Sequence, residues 1–467
     1  MFASFQALSL KTTLRGLCPN ALHPLWDRVE ASPTSGRLVR GAFWAVAGTL
    51  ISRFLGLASS IFAARIVGKL HYGELGMIQN TVGMFGILAG FGMGLTATKY
   101  VAEFRTKDPA KAGRIIALSS LVAWATSLAL AAALVVSAPW LCRHTIAAPQ
   151  LTGLLQVSAL LLLFSGINGA QTGALSGFEA FKRLAQVNFF VGLLSFPLTI
   201  CGAWFFGLPG ILWGLIAAQA AACALNFIAL RLEARRYSIP LAYASCTAEL
   251  PVIWRFSVPA VLGGIVVSPV NWACTAMLVR QPHGYAEMGA FNAANQWFNA
   301  LMWLPSVLGQ AVLPMLAERF GAKDTARSGK LLGLAIKINA AIVFPLVLIG
   351  SVLSPYVMAS YGRDFGSAWP TLIAVLFTAG LLALQTPVGQ VIAASGRMWL
   401  GFAMNLGWAL VFLLCTWLLI DRGAFGLASS RLLAYIAHSV WVFLYVAILM
   451  RQTPKLAKTD RLVAGQH

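Results

Sequence analysis

The first residue whose type and position could do chemistry is an arginine inside an apolar run. Arg53, in ISRFLGL, lies 13 residues from Arg40 and 12 from Arg65. At a helical rise of ~1.5 Å per residue it falls near the midplane of a bilayer. An ionised side chain there costs about 2.5–3.5 kcal/mol on insertion scales, so it must face water or a partner. Two roles stay open: a structural arginine bonded to carbonyls of neighbouring helices, or a cavity arginine that meets an anionic substrate.

Amides supply the second set. Asn292, Asn295, Gln296, Asn299, Ser306 and Gln310 follow one another at spacings of 3, 1, 3, 7 and 4, which puts them on one helical face. Against lipid six polar groups would be costly. They serve either as interhelical hydrogen bonds, worth about 0.6 kcal/mol each, or as a cavity wall whose amides pair with sugar hydroxyls, with Trp297 and Trp303 near enough to stack on sugar rings. Gln79 occupies the position of Asn292 in an earlier copy of the same pattern, so both copies can contribute to one wall.

Further titratable groups fall in apolar runs. Arg431 and His438 share the last run, and the histidine is either a packed, hydrogen-bonded residue or a proton carrier. Lys337 lies close enough to the inner surface to snorkel. Glu74 and Glu287 begin two spans, where a carboxylate suits a helix N-terminus; ion coupling is their alternative role. Gly86, Gly90 and Gly94 form a small-residue row that favours close packing and offers a hinge.

The elements that must position these residues are duplicated. YGELGMIQN from Tyr72 leads to AEFRTKDPAKAGR ending at Arg114, and YAEMGAFNA from Tyr285 leads to AERFGAKDTARSGK ending at Lys330. The offsets are 213 and 216, the signature of two fused halves. A hydrocarbon core of about 30 Å needs about 20 apolar residues per helix. Stretches of that kind lie at 41–65, 74–98, 114–138, 151–175, 186–206 and 209–230, then at 256–279, 288–316, 331–353, 370–394, 398–420 and 425–449. The expectation is an all-α membrane protein of about 12 spans in two parallel six-helix repeats. Its parts are an extension (1–37), a first lobe (38–230), a linker (231–255), a second lobe (256–450) and a tail (451–467).

With the N-terminus inside, the tails and even-numbered loops hold 25 Lys and Arg and the opposite loops hold 6. The positive-inside rule therefore predicts that both termini are cytoplasmic. Lys107, Asp108, Lys111 and Arg114, with Lys323, Asp324, Arg327 and Lys330, then lie inside. Setting topology and touching anionic lipid are one role for them; receiving a phosphorylated headgroup is the other.

Composition agrees. Of 467 residues 59% are hydrophobic and 10% charged, with mean hydropathy +0.77, against about 25% charged in soluble proteins. The net charge of +20 sits in short loops beside apolar runs, which argues against nucleic acid. Seven cysteines without paired spacing predict neither disulfide nor metal site. The first 36 residues lack the apolar core of a cleaved signal peptide. There is no phosphate-binding glycine loop, no outer-loop carboxylate pair and no Ser-His-Asp arrangement, so neither an ATPase nor another enzyme is expected, and no cofactor.

With the duplication, the spans and GLTATKYVAEFRTKDPAKAGR in view, the chain resembles the polysaccharide biosynthesis proteins of the O-antigen and oligosaccharide flippase family. That family lies within the multidrug, oligosaccharidyl-lipid and polysaccharide exporter superfamily. The resemblance covers about residues 38 to 450. It implies a secondary transporter of the bacterial inner membrane that moves undecaprenyl-diphosphate-linked oligosaccharide from the inner to the outer leaflet by alternating access. Glycan polymerase and glycosyltransferases are the implied partners, beside membrane lipids. Ser52, Arg53, Leu55 and Gly56 also match the start of the lipid II flippases, whose second arginine is replaced here by Ser59. The alternatives are a lipid II flippase, a drug or cation exporter of the same superfamily, and a membrane glycan polymerase or ligase.

Overall fold

In the computed structural model the described residues are 33–241, 243, 245–253, 257, 265–321, 325–394 and 398–464, with side chains described within 48–309, at 329, and within 331–392, 399–446 and 448. The N-terminal extension, Gln310, and the second basic finish at Lys323, Asp324, Arg327 and Lys330 lie outside the described side chains.

Among the described residues every regular element is helical. The helices are α1 (Pro33–Gly86), α2 (Met93–Phe104), α3 (Pro109–Trp140), α4 (Thr152–Gly177), α5 (Phe181–Arg236), α6 (Val267–Val279), α7 (Gly284–Gly321), α8 (Thr325–Val352), α9 (Ser354–Ser360), α10 (Trp369–Ala394), α11 (Met398–Leu419) and α12 (Gly423–Ala464). Among the described residues seven segments are long and apolar enough to cross a membrane, and α1 and α5 are too long for one crossing. Each is broken: α1 at Gly68 (φ 79, ψ 170) and α5 at Gly207 (φ 61, ψ −136). The α5 break falls between the spans expected at 186–206 and 209–230.

Gly423, at the start of α12, has φ 63 and ψ −139. It stands 216 residues after Gly207 with nearly the same backbone. A side chain at either position would meet its own carbonyl in this left-handed region, so the duplicated turn needs glycine twice. Just before the first of these turns Trp204, Phe205 and Phe206 project outward, each 73% exposed.

One expected span is not continuous. The stretch 74–98 is interrupted at Gly90 (φ 75), Phe91 (φ 47) and Gly92 (φ 67). The glycine row both bends and packs: a Cβ on Gly90 would lie 3.0 Å from the Gly166 carbonyl oxygen, and one on Gly94 2.7 Å from that of Gly169.

Leu193, Leu348, Ile349, Leu410, Leu414 and Trp417 are exposed on helix faces, as expected of a surface solvated by lipid. One end of the helices carries ion pairs: Arg105 with Glu179, Arg114 with Glu249, and Arg183 with Glu233. There Asp108 accepts from the Lys111 backbone N–H at 2.9 Å and caps α3, while Lys111 lies over the Phe104 ring. The first basic finish is thus held by a cap and by the tie of Arg114 to Glu249.

Candidate functional site

The two copies of the Tyr-x-Glu-x-Gly pattern meet. α1 and α7 cross where Gly73 faces the Tyr285 carbonyl and Gly289 faces the Lys69 carbonyl, close enough that a Cβ on either glycine would overlap backbone. Asn292 is buried in this crossing against Gly76 and donates to the Tyr72 carbonyl at 3.5 Å.

The loops expected on the outer side close over the crossing in a reciprocal way. Tyr285, from the second copy, donates its hydroxyl to the Ile146 carbonyl at 2.8 Å, in the turn between α3 and α4. Tyr72, from the first copy, packs its ring on Tyr361 and Phe365, in the turn between α9 and α10. Arg65 Nε donates to the Ser360 carbonyl.

Glu74 and Glu287 hold equivalent places in the two copies and have different partners. Glu74 is buried and pairs with His71, three residues back on its own helix, at 2.7 Å. Glu287 lies in the first turn of α7, yet the helix terminus it serves is another one. Its Oε2 accepts from the Ala424 backbone N–H at 2.9 Å, at the start of α12, and its Oε1 pairs with Lys69 Nζ at 3.4 Å.

Deeper along α7, Asn295 accepts from Arg431 Nη1 at 3.0 Å. The Arg431 guanidinium is buried, with its central carbon 5.3 Å from the Phe291 ring and 4.5 Å from the Phe298 ring. Its Nε and Nη2 are buried without a partner among the described residues. Buried guanidinium N–H groups normally find acceptors, so two unpaired donors on one charged group stand out among the described residues.

Gln296 lies beside the Tyr72 hydroxyl, and Asn299 is exposed. Gln79 is half-buried one turn beyond Gly76. Arg53 is exposed, with no hydrogen-bond or ion-pair partner among the described residues. The structure therefore brings together Asn292, Asn295, Gln296 and Arg431 and leaves Arg53 apart from them.

His438 faces a cavity of about 270 Å³ whose lining includes Leu382, Gln385, Thr386, Phe402 and Asn405. Gln385 Nε2 donates to the Tyr435 carbonyl at 3.1 Å, which orients its amide so that Oε1 faces His438 Nδ1 at 2.8 Å. Nδ1 therefore carries the proton in the neutral ring and Nε2 is left as an acceptor. Gln385 was not among the residues expected from sequence, although it and Gln390 are the two amides in the apolar run 370–394, a usable signal. Also unexpected were Asn80, which donates to Thr275 at 2.7 Å, and Trp272, which donates to Thr81 at 3.0 Å; both tie α6 to α1.

The described helices form a bundle, broken at Gly68 and Gly207, whose loops interlock at one end. The arrangement is similar to the inward-facing conformation of a multidrug resistance MATE family transporter of the MOP superfamily, with a TM-score of 0.69 and 15% identity over 89% of this chain and 99% of that one. Residues 38–320 match the family described as polysaccharide biosynthesis protein, and the chain belongs to that family. It is 26% identical over 329 residues to the EPS I polysaccharide export inner membrane protein EpsE of Ralstonia solanacearum, covering 68% of this chain and 71% of the relative. To the lipid III flippase of Escherichia coli (strain K12) it is 24% identical over 424 residues, covering 86% and 96%.

Proposed function

We propose that this chain is a secondary transporter of the bacterial inner membrane. It flips undecaprenyl-diphosphate-linked oligosaccharide from the inner to the outer leaflet for cell-surface polysaccharide. Two six-helix lobes, residues 38–230 and 256–450, rock against each other about the crossing of α1 and α7, with both termini in the cytoplasm. The meeting of the two repeat copies at that crossing carries the reading, because a seal built from equivalent segments of two halves opens when the halves tilt.

Arg53, and Arg431 through its open donors, meet the diphosphate or acidic sugars, and Gln79, Asn292, Asn295, Gln296 and Asn299 serve the glycan. The exposed, unpaired state of Arg53 supports the cavity role over a bond to helix carbonyls. The polyprenyl tail stays in lipid between the lobes. Coupling to an ion gradient falls to His438, Glu74 or Glu287.

The test is transport of labelled undecaprenyl-diphosphate oligosaccharide into proteoliposomes by wild type, Arg53→Ala and Arg53→Lys. Loss in Ala with partial retention in Lys supports a cavity charge. Equal transport by all three makes Arg53 structural, and no transport by folded wild type overturns the substrate.

A further inference from the structure

The duplication is symmetric in sequence at Tyr72 and Tyr285, at Gly76 and Gly289, and at Glu74 and Glu287. The symmetry breaks at the glutamates. Glu74 finds its partner, His71, on its own helix, whereas Glu287 reaches Lys69 across the crossing and the N-terminus of α12 at once. Gly423 lets it do so: a Cβ there would stand 2.5 Å from Glu287 Oε2. The position opposite Lys69 in the second copy is Pro282, so no equivalent lysine faces Glu74.

We infer that Lys69 and Glu287 form the latch of the crossing, and that Glu287 is the positioning residue that ties closure of that end to the placement of Arg431. The inference rests on the transporter reading for its purpose. Physically, α7 holds α12 at two points, Glu287 on Ala424 and Asn295 on Arg431. The two attachments run in the same direction along both helices, eight residues apart on α7 and seven on α12. Lys69, whose side chain is 15% exposed, is the contribution of α1 to this assembly, and the Glu287 side chain, at 34%, remains within reach of water. Glu287, a third exposed, keeps its carboxylate within reach of water when the pair separates, and the flexible stem of Lys69 can carry its ammonium outward, as a latch that must release requires. When Lys69 leaves, Glu287 keeps its bond to Ala424, so α12 stays with α7 and Arg431 moves with that half.

The test uses Gln79→Cys, just beyond the crossing, in the full-length protein with its other reactive cysteines replaced. A membrane-impermeant maleimide is applied to spheroplasts and, separately, to inside-out vesicles. Lys69→Met and Glu287→Gln each raise labelling from the side of the crossing about threefold to fivefold. The double variant does no more than either single, and Lys69→Arg labels like wild type. Glu287→Gln keeps an acceptor for Ala424, so hydrogen exchange over residues 424–431 stays slow in Gln and quickens in Glu287→Ala. Unchanged labelling in both singles, or effects that multiply in the double, overturns the latch; equal exchange in Gln and Ala overturns the positioning role. No glycan is needed, so the latch and the substrate reading fail separately.

Discussion

Replacing Gly73 with alanine tests whether the crossing of α1 and α7 is a joint that must part. A Cβ at this position would overlap the Tyr285 carbonyl oxygen and lie 2.7 Å from the Gly289 backbone nitrogen, where ordinary contact begins at 3.4 Å. The nitrogen alone calls for a separation of 0.7 Å, the nearer carbonyl oxygen calls for more, and neither obstructing atom can rotate away. Overpacking of this kind costs about 1–3 kcal/mol. It acts only on the state in which the helices touch, so it shifts the conformational balance roughly 5- to 150-fold toward the state open at that end. Gly76→Ala is the internal control. Its Cβ would lie 2.9 Å from the Asn292 side chain, which can turn aside, so the shift is smaller. Maleimide labelling of Gln79→Cys from the side of the crossing reads the balance directly. Labelling in Gly73→Ala equal to the parent, in folded protein, would refute the idea that the glycines set the closed state.

Two further substitutions probe the supports of the site. Gln385→Leu keeps volume but leaves His438 Nδ1 without its amide partner, while the Ser439 hydroxyl still donates to the Tyr435 carbonyl; losing a hydrogen bond at this part-buried ring costs about 0.5–1.5 kcal/mol, so the detergent melting temperature falls, and an unchanged value would detach Gln385 from the histidine. Asp108→Ala removes the cap on α3; the expected loss is about 1 kcal/mol, read as faster hydrogen exchange in the first turn of α3 with transport retained, and lost transport would give Asp108 a direct role.

The length of apolar runs made many of the described helices legible, because runs of membrane length are bounded by charge and turn residues. Most expected spans fall inside one described helix, and the gap expected at 207–208 is the place where Gly207 breaks α5. The failure at Gly90 to Gly92 has a local cause: composition there is as apolar as in a helix, and only positive φ interrupts it. Pairings across elements were less legible. Nothing in the spacing joins Glu287 to Ala424, which is 137 residues away, because the contact depends on how α12 begins. The amides expected on one face all fall within α7, but those with described side chains divide by depth. Asn292 went to the crossing and Asn295 to Arg431, a division that needs the neighbouring helices to be known.

The three outward rings beside Gly207 bear on the energetics of any rocking motion. Trp204, Phe205 and Phe206 end a helix and face away from the protein, a position at which aromatic side chains settle at the lipid headgroups. A half that tilts must carry this float through the interface, deeper in one state than in the other. For the proposed rocking, bilayer thickness would then become a reactant in the cycle, and the same chain in thin and thick membranes would divide its time differently between its two faces.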